Sequence, residues 1–317
     1  MMRKFFTLIF LLGSFISATA QSDIAIGTGA VGNGATGYPS PLQDYFEGSR
    51  AQYLFRASEL VAAGMGPGVI TSIKWNVTVL NGAGLIEKMS ITIGTTPVST
   101  LSTTSWDPIN NPVSTPQVDY QPIVGINSFT LPTPFFWDGT SNVIIEVCNG
   151  EPGNTTGTWW TNNPTTPWTT GLVFNASHTY RIDDAGNLCG TVTATSTGIQ
   201  TTRPNITFTW TPAAACNGTP NAGTANSTST NIICVGSPFT LSLSGTTVAS
   251  GLTYQWQSST DNISFTNIAG ANSSSFTTTQ SLSVVYYRAI VSCGAQSSNS
   301  TVVMVTSSTG PSFATLP

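Results

Sequence analysis

Hydrophobic and polar residues alternate with a period of two along much of the chain. The clearest alternation spans residues 69–79, and one face of this segment would carry Val69, Thr71, Ile73, Trp75, Val77 and Val79. The other face is polar, which is typical of a half-buried β-strand. The same reasoning predicts further strands at 53–55, 89–93, 118–124, 129–131, 158–161, 172–174, 179–182 and 206–210. A single helical turn is predicted at 59–62, with Ser58 as its N-cap.

One strand is predicted to lie at the centre of a sheet. An aromatic run meets the dipeptide Asp138-Gly139, and residues 143–148 follow. Asp-Gly between apolar runs indicates a turn, because glycine adopts a positive φ without steric cost. Ile144 and Ile145 point to opposite faces of the following strand and both are apolar. We therefore expect this strand to be buried on both sides.

The pattern changes at 211–231, where the chain is polar and has few bulky residues, and a second series of strands follows. A tryptophan on an early strand, Trp256, and a tyrosine pair on a late strand are typical of an immunoglobulin-like sandwich. The fold class is therefore predicted to be all-β with two tandem β-sandwiches. The segments are a jelly-roll-like domain at 22–211, an Ig-like domain at 216–306, and a linker or the start of a further domain at 307–317.

Residues 1–20 have the composition of a secretory signal peptide. Arg3 and Lys4 precede an unbroken apolar run at 5–12, and an Ala-Thr-Ala sequence precedes Gln21, where cleavage is expected. The apolar run is shorter than the roughly 20 residues that span a bilayer, which argues against a membrane anchor. We expect a secreted or cell-surface protein with no transmembrane segment after cleavage.

The composition argues against several classes of function. Charged residues make up only 7% of the chain, and cleavage would leave 7 basic and 13 acidic side chains, which changes the net charge from −4 to −6. No basic patch is present, so nucleic acids and anionic membranes are not expected partners. One histidine and the lack of Cys-x-x-Cys leave few ligands for zinc, and no cofactor is expected.

Five segments resemble modules of large secreted proteins of the Bacteroidota. Residues 253–258 and 285–293 are similar to the Ig-like modules of these proteins, and residues 49–64, 137–142 and 203–206 resemble the β-sandwich module that often precedes them. The resemblance implies a type of module rather than a ligand. It also implies export by the type IX route, which uses a C-terminal sorting domain. The last residues do not resemble that domain, so we expect the chain to be a fragment of a longer protein.

Five cysteines in an exported chain predict disulfides. Cys148 and Cys189 are the two cysteines of the first predicted domain, and a bridge between them would close the long segment 149–188. The second domain has an odd number of cysteines.

The geometry of an Ig sandwich favours one pairing in the second domain. Cys216 precedes the first strand and Cys293 ends the sixth, so both would lie at the same end of the sandwich. We therefore expect a Cys216–Cys293 bridge with Cys234 unpaired. In the modules that this domain resembles, a cysteine at the position of Ala289 would pair with Cys234, and its absence here fits the odd count.

No candidate catalytic site is well supported. A catalytic triad would have to use His178, the only histidine, and no Gly-x-Ser-x-Gly elbow is present. Residues 183–187, Asp-Asp-Ala-Gly-Asn, could surround Ca²⁺, but the spacing is not that of an EF-hand and these residues are also typical of turns. The few carboxylates indicate no pair for glycoside hydrolysis. We expect a protein that is not an enzyme.

Trp159 and Trp160 are the strongest candidates for binding. Adjacent residues on a strand point to opposite faces, so one of the two could be exposed. Together with Trp168 they could form a stacking platform for a sugar, although loop packing could equally cover them. An extracellular glycan or protein is thus the expected partner. The function that we expect is a non-catalytic structural or adhesive segment of a secreted or cell-surface modular protein, and the alternative is an accessory carbohydrate-binding region of a larger secreted enzyme.

Overall fold

The computed structural model describes residues 21–46, 48–150, 162–183, 188–190, 198–228 and 232–308. The predicted signal peptide, the predicted strand at 158–161 and the segment 309–317 lie outside the described residues. Among the residues that are described, no helix combines the length and the apolar composition needed to cross a bilayer.

The described residues before position 213 contain thirteen strands. They are β1 (Ser22–Ile26), β2 (Gly48–Phe55), β3 (Gly68–Val77), β4 (Ile86–Thr96), β5 (Asn110–Ser114), β6 (Val118–Tyr120), β7 (Gly125–Trp137), β8 (Asn142–Asn149), β9 (Trp168–Thr169), β10 (Ser177–Ile182), β11 (Gly198–Gln200), β12 (Arg203–Pro204) and β13 (Ile206–Pro212).

Two antiparallel sheets pack face to face in this first domain. One sheet has the order β1-β13-β3-β7, and the other has the order β11-β10-β2-β8-β4-β5, with β6 beside β4. The main hydrophobic core lies between them and includes Trp75, Trp137 and Phe208. Strand β8 is central, as its sequence predicted: Ile145 faces the main core, and Ile144 lies in a second apolar cluster on the opposite face.

Strand β3 differs from its predicted alternation at its start. Ile73, Trp75 and Val77 are buried as expected, but Ile70 is buried while Val69 and Thr71 are only half-buried. The pairing of β3 with β7 shifts register between Ile70 and Ser72. Such a bulge inserts an extra residue and reverses which side chains face the core, and a strict period of two cannot anticipate it.

Three other strand predictions are corrected by the structure. The strand predicted at 118–124 ends at Tyr120, the strand predicted at 89–93 extends from Ile86 to Thr96, and residues 172–174 form no strand. Phe174 instead packs in the smaller apolar cluster from a loop. An apolar triplet can be buried without a strand when a loop covers a sheet face.

Among the described residues there is one helix, α1 (Ala57–Ala62), which begins two residues before the predicted turn. Its N-cap is Arg56 and not Ser58, because the helix begins at Ala57. The Glu59 carboxylate accepts the backbone N–H of Arg56 at 2.9 Å. The Oδ1 atom of Asn142 accepts the N–H of Ala57 at 2.8 Å. A neighbouring turn therefore satisfies the helix terminus, in the role predicted for Ser58.

Nine strands lie in the described ranges after position 213. They are β14 (Thr224–Ser227), β15 (Ile233–Cys234), β16 (Phe239–Ser244), β17 (Leu252–Ser259), β18 (Thr266–Asn267), β19 (Ser275–Thr278), β20 (Val284–Cys293), β21 (Gln296–Asn299) and β22 (Val303–Ser308).

These strands form two facing sheets with the arrangement of an Ig-like sandwich. The sheet β14-β16-β19 faces the sheet β15-β22-β20-β17-β18, with β21 beside β20. Trp256 on β17 is completely buried and lies in a core of its own with Leu241 and Val291. The first domain has a separate core, so each sandwich buries its own apolar faces.

Both predicted disulfides are present. Cys148 and Cys189 have Cα atoms 5.2 Å apart, and Cys216 and Cys293 have Cα atoms 5.8 Å apart. Cys234 on β15 is a free, exposed thiol.

Candidate functional site

Two of the segments that carry the resemblance of the first domain meet around the buried side chain of Arg203. The guanidinium pairs with Glu59 at 2.6 Å, donates to the carbonyl of Leu54 and lies 4.0 Å from the ring centroid of Phe55. Only 1% of the Arg203 side chain is exposed, and this burial lowers the pKa of the guanidinium. Glu59 also caps α1. These motif residues therefore stabilise the fold and leave no group directed at a ligand.

Asp138 lies in 137–142, the third segment that carries the resemblance of the first domain. Every acceptor position of its carboxylate is occupied. Its Oδ1 atom accepts the N–H groups of Thr140 and Ser141 at 2.9 and 2.8 Å, and its Oδ2 atom accepts the hydroxyl of Ser141 at 2.7 Å. The second bond to Oδ2 comes from the hydroxyl of Ser274, which belongs to the Ig-like sandwich. A carboxylate has about four acceptor positions, and all four are occupied here. The predicted Asp-Gly turn is confirmed, with Gly139 at a φ of 81°.

The chain between the two sandwiches is hydrogen-bonded to both. The N–H of Ala213 donates to the carbonyl of Pro67 in the first domain at 3.0 Å. Ser250 of the second domain donates to the carbonyl of Ala214 and accepts from the N–H of Cys216, both at 2.8 Å. The Cys216 disulfide then joins this segment to β20. The linker is thus held by backbone hydrogen bonds to both domains, which restricts its conformational freedom.

A cleft of about 300 Å³ lies between the two sandwiches. The first domain contributes residues of β4, β5 and β7 and the turn after β7, and the second contributes the β16–β17 connection and Tyr254 on β17. The residues that matter most to its chemistry are Asn111, Phe136, Asp138, Thr246, Val248 and Tyr254. The cleft could not be predicted from local patterns in the sequence, because its two walls lie more than 100 residues apart in the chain.

A buried polar cluster lies on the outer face of the larger sheet of the first domain. His178 on β10 is completely buried and stacks on the Trp106 ring at 4.4 Å between centroids. Arg50 lies 4.3 Å from the same ring and pairs with Glu146 at 2.8 Å. Neither ring nitrogen of His178 has a hydrogen-bond partner among the described residues. Burial, followed by the nearby Arg50 charge, lowers the pKa of His178, which is therefore neutral at physiological pH.

This cluster has no arrangement that suits a catalytic triad. A triad needs a nucleophile hydrogen-bonded to the imidazole and a carboxylate on its other nitrogen. His178 makes neither bond to any described residue. The Glu146 carboxylate instead pairs with Arg50 and accepts a hydrogen bond from the side-chain amide of Gln52 at 2.9 Å. The geometry is that of a packed polar layer beneath a loop, in which Trp106 covers the sheet.

The predicted tryptophan platform is described only in part. Trp159 and Trp160 lie outside the described residues. Trp168, on β9, is half-buried, and its indole N–H donates to the carbonyl of Pro39 at 3.0 Å. The same tryptophan pairs with Pro204 in a two-stranded ribbon. Trp168 therefore fixes the N-terminal arm against the domain, and its polar atom is not available to a sugar.

The predicted calcium loop is also described only in part. Asp183 is exposed, and residues 184–187 lie outside the described residues. Within the described ranges, no group of three or more histidine, cysteine or acidic residues could hold a metal ion.

Comparison with known proteins finds a match for the second sandwich. A family model described as a domain of unknown function (DUF8696) matches residues 221–309. No curated protein matches the chain. The matched region corresponds closely to the Ig-like sandwich, which indicates that this sandwich recurs as a module in other proteins. It covers less than half of the chain and carries no information about a ligand.

Proposed function

We propose that the chain is a non-catalytic structural and adhesive segment of a secreted or cell-surface modular protein. Its specific task is to hold two β-sandwiches in a fixed relative orientation, so that whatever binds to one of them is presented in a defined direction. The observation that carries this proposal is the junction between the domains, where Asp138, Ser274 and the hydrogen-bonded linker act together.

The hydrogen bonds at the junction support a rigid pair of domains rather than two domains that move independently. Domains within one chain usually move relative to each other unless their interface is extensive or specifically bonded. Here the Asp138 carboxylate is fixed by its own turn before it accepts the bond from Ser274, so the acceptor is already oriented. The linker hydrogen bonds at Ala213 and Ser250 add constraints on both sides of the junction.

The chemistry of the polar motifs supports a structural role. Arg203, Glu59 and Asp138 are the most distinctive charged residues of the first domain, and each is engaged in an internal ion pair or in a turn. Groups that act in catalysis need free acceptor or donor positions directed at a substrate.

The two disulfides support an oxidising, extracellular location. Disulfides are rare in the cytosol and frequent in exported proteins, where they compensate for harsher conditions. Export through the predicted signal peptide, by the type IX route that the resemblance implies, belongs to the same proposal.

The orientation of the two domains can be measured with spin labels. The free thiol of Cys234 provides one label site in the second domain, and Thr103→Cys, at an exposed loop position, provides one in the first. Double electron–electron resonance should give one narrow distance distribution. The double variant Ser274→Ala, Ala213→Pro, which removes the Asp138 contact and the N–H that bonds Pro67, should broaden it.

Two results would contradict the proposal. A distance distribution in the parent protein that is as broad as that of the double variant would show that the orientation is not fixed. Release of product from polysaccharide or protein substrates by the purified chain would show that it is catalytic.

A further inference from the structure

The cleft between the two sandwiches has the dimensions of a small binding site. Its volume of about 300 Å³ lies at the lower end of the range for small-molecule sites, which occur preferentially at domain interfaces. It could accommodate one ring-sized group rather than a long chain. Because both domains line it, the fixed junction also keeps its shape constant.

Tyr254 is the one tyrosine of this cleft, and its hydroxyl has no hydrogen-bond partner among the described residues. The side chain is only 8% exposed, and its position on β17 places it in the lining of the cleft. Burial, followed by the charge of Asp138, raises the pKa of Tyr254 to about 12. The phenol is therefore protonated and can both donate and accept. The hydroxyl oxygen is not itself buried, so water in the cleft can solvate it, and a ligand that displaces this water has to replace its hydrogen bond.

Two other clefts in the described part of the chain make an informative comparison. One is lined by Tyr287, whose hydroxyl donates to Gln280 at 3.2 Å, and the other by Tyr120, whose hydroxyl donates to Asn127 at 2.8 Å. In both of these clefts the protein itself satisfies the phenol. In the interdomain cleft the phenol of Tyr254 is left for a ligand.

The charges around the cleft restrict the ligand to a neutral one. No lysine or arginine is among the described residues that line it, and Asp138 contributes a buried negative charge, so an anion would be repelled. The same carboxylate has already accepted four hydrogen bonds, so it has little capacity left for a cationic group. A purely apolar ligand would leave the Tyr254 hydroxyl unpaired.

The remaining lining combines aromatic and aliphatic surface with uncharged polar groups. Phe136 and Val248 provide an apolar wall, and Asn111 and Thr246 provide an amide and a hydroxyl. A pyranose ring has the matching chemistry, because its C–H groups form an apolar face and its hydroxyls both donate and accept. We propose that the interdomain cleft binds a neutral sugar residue at the end of a glycan, with Tyr254 hydrogen-bonded to a sugar hydroxyl.

This inference deepens the proposed adhesive function and rests on it. The test uses the full chain, exported so that both disulfides form, on an array of neutral and acidic glycans. Hits are then titrated with the corresponding free monosaccharide. We expect glycans that end in a neutral hexose or N-acetylhexosamine to bind. Tyr254→Phe should weaken Kd about five-fold, the loss expected for one neutral hydrogen bond, and Thr246→Trp, which fills the cleft, should abolish binding.

Matched substitutions in the other clefts serve as controls. Tyr120→Phe removes a tyrosine hydroxyl elsewhere, and Thr260→Trp adds an indole to the other cleft of the Ig-like sandwich. Both should leave glycan binding unchanged. The inference is overturned if no neutral glycan binds, if acidic glycans alone bind, or if Tyr254→Phe and Thr246→Trp bind like the parent protein. If binding fails while the spin-label distance is narrow, the structural part of the proposed function stands and the sugar site does not.

Discussion

Protonation of His178 is expected to destabilise the first domain, and the sequence makes this effect measurable. His178 is the only histidine of the chain, so any imidazole titration belongs to it. It is completely buried and stacks on Trp106, and in the part of the chain that the structure describes neither ring nitrogen has a hydrogen-bond partner. A positive charge placed there would lose its hydration and would lie close to the Arg50 guanidinium. Both effects favour the neutral ring, and burial is the larger of the two.

The sign and the size of the effect follow from proton linkage. The pKa of His178 in the folded protein is below its value of about 6.5 in the unfolded chain, so the unfolded state binds more protons between these two values. The stability that the neutral ring provides is fully present above about pH 6.5 and decreases as the pH falls below it. The free energy of unfolding falls by up to about 1.4 kcal/mol per pH unit, and this decrease stops once the pH is below the pKa of His178 in the folded protein.

Other charged groups near His178 act in different pH ranges. Arg50 and Glu146 form an ion pair with each other. Asp107, which is also buried in this region, has a raised pKa because of burial, so the folded state binds a proton more readily than the unfolded state as the pH falls toward the acidic range. The contribution of Asp107 therefore has the opposite sign to that of His178. Measurements between pH 7 and pH 5 should report mainly on His178.

Two measurements test the reasoning. The single imidazole signal in a heteronuclear NMR titration should give a folded pKa below 6.5. Urea unfolding of the first domain between pH 7 and pH 5 should show the predicted loss of stability, and His178→Phe, which keeps a ring against Trp106 but cannot titrate, should lack it. A folded pKa at or above 6.5, or an identical pH dependence in the variant, would refute the argument.

Three further predictions concern the stability of the fold. Arg203→Ala should destabilise the first domain by about 3–5 kcal/mol in urea unfolding, because it leaves a partly buried carboxylate unpaired, whereas Lys74→Ala, at an exposed ion pair, should cost less than about 1 kcal/mol. Gly139→Ala should lower the melting temperature more than Gly82→Ala. Both residues have a φ near 80°, but a Cβ at 139 would lie 2.7 Å from Pro67 and a Cβ at 82 would meet nothing. Cys216→Ser should destabilise the second domain by about 4 kcal/mol under non-reducing conditions, given a sequence separation of 77, and an unchanged unfolding midpoint would contradict this.

Features that depend on local chemistry were predictable from the sequence. Alternation with a period of two identified most strands, because each strand has one face against a core and one toward loops or solvent. Ile144 and Ile145 were sufficient to predict a central strand. The number and position of the cysteines, combined with the geometry of an Ig sandwich, predicted both disulfides and the free thiol of Cys234.

Features that join distant parts of the chain become apparent only in the folded protein. The bulge near Ile70 depends on the pairing of β3 with its neighbours, and no local pattern encodes it. The contact between Asp138 and Ser274 spans 136 residues, so both residues looked like ordinary turn and loop positions in the sequence. That the Tyr254 hydroxyl has no protein partner among the described residues likewise depends on how distant parts of the chain come together. A hydrogen bond forms at about 3 Å, and the sequence specifies which groups exist but not which of them come that close.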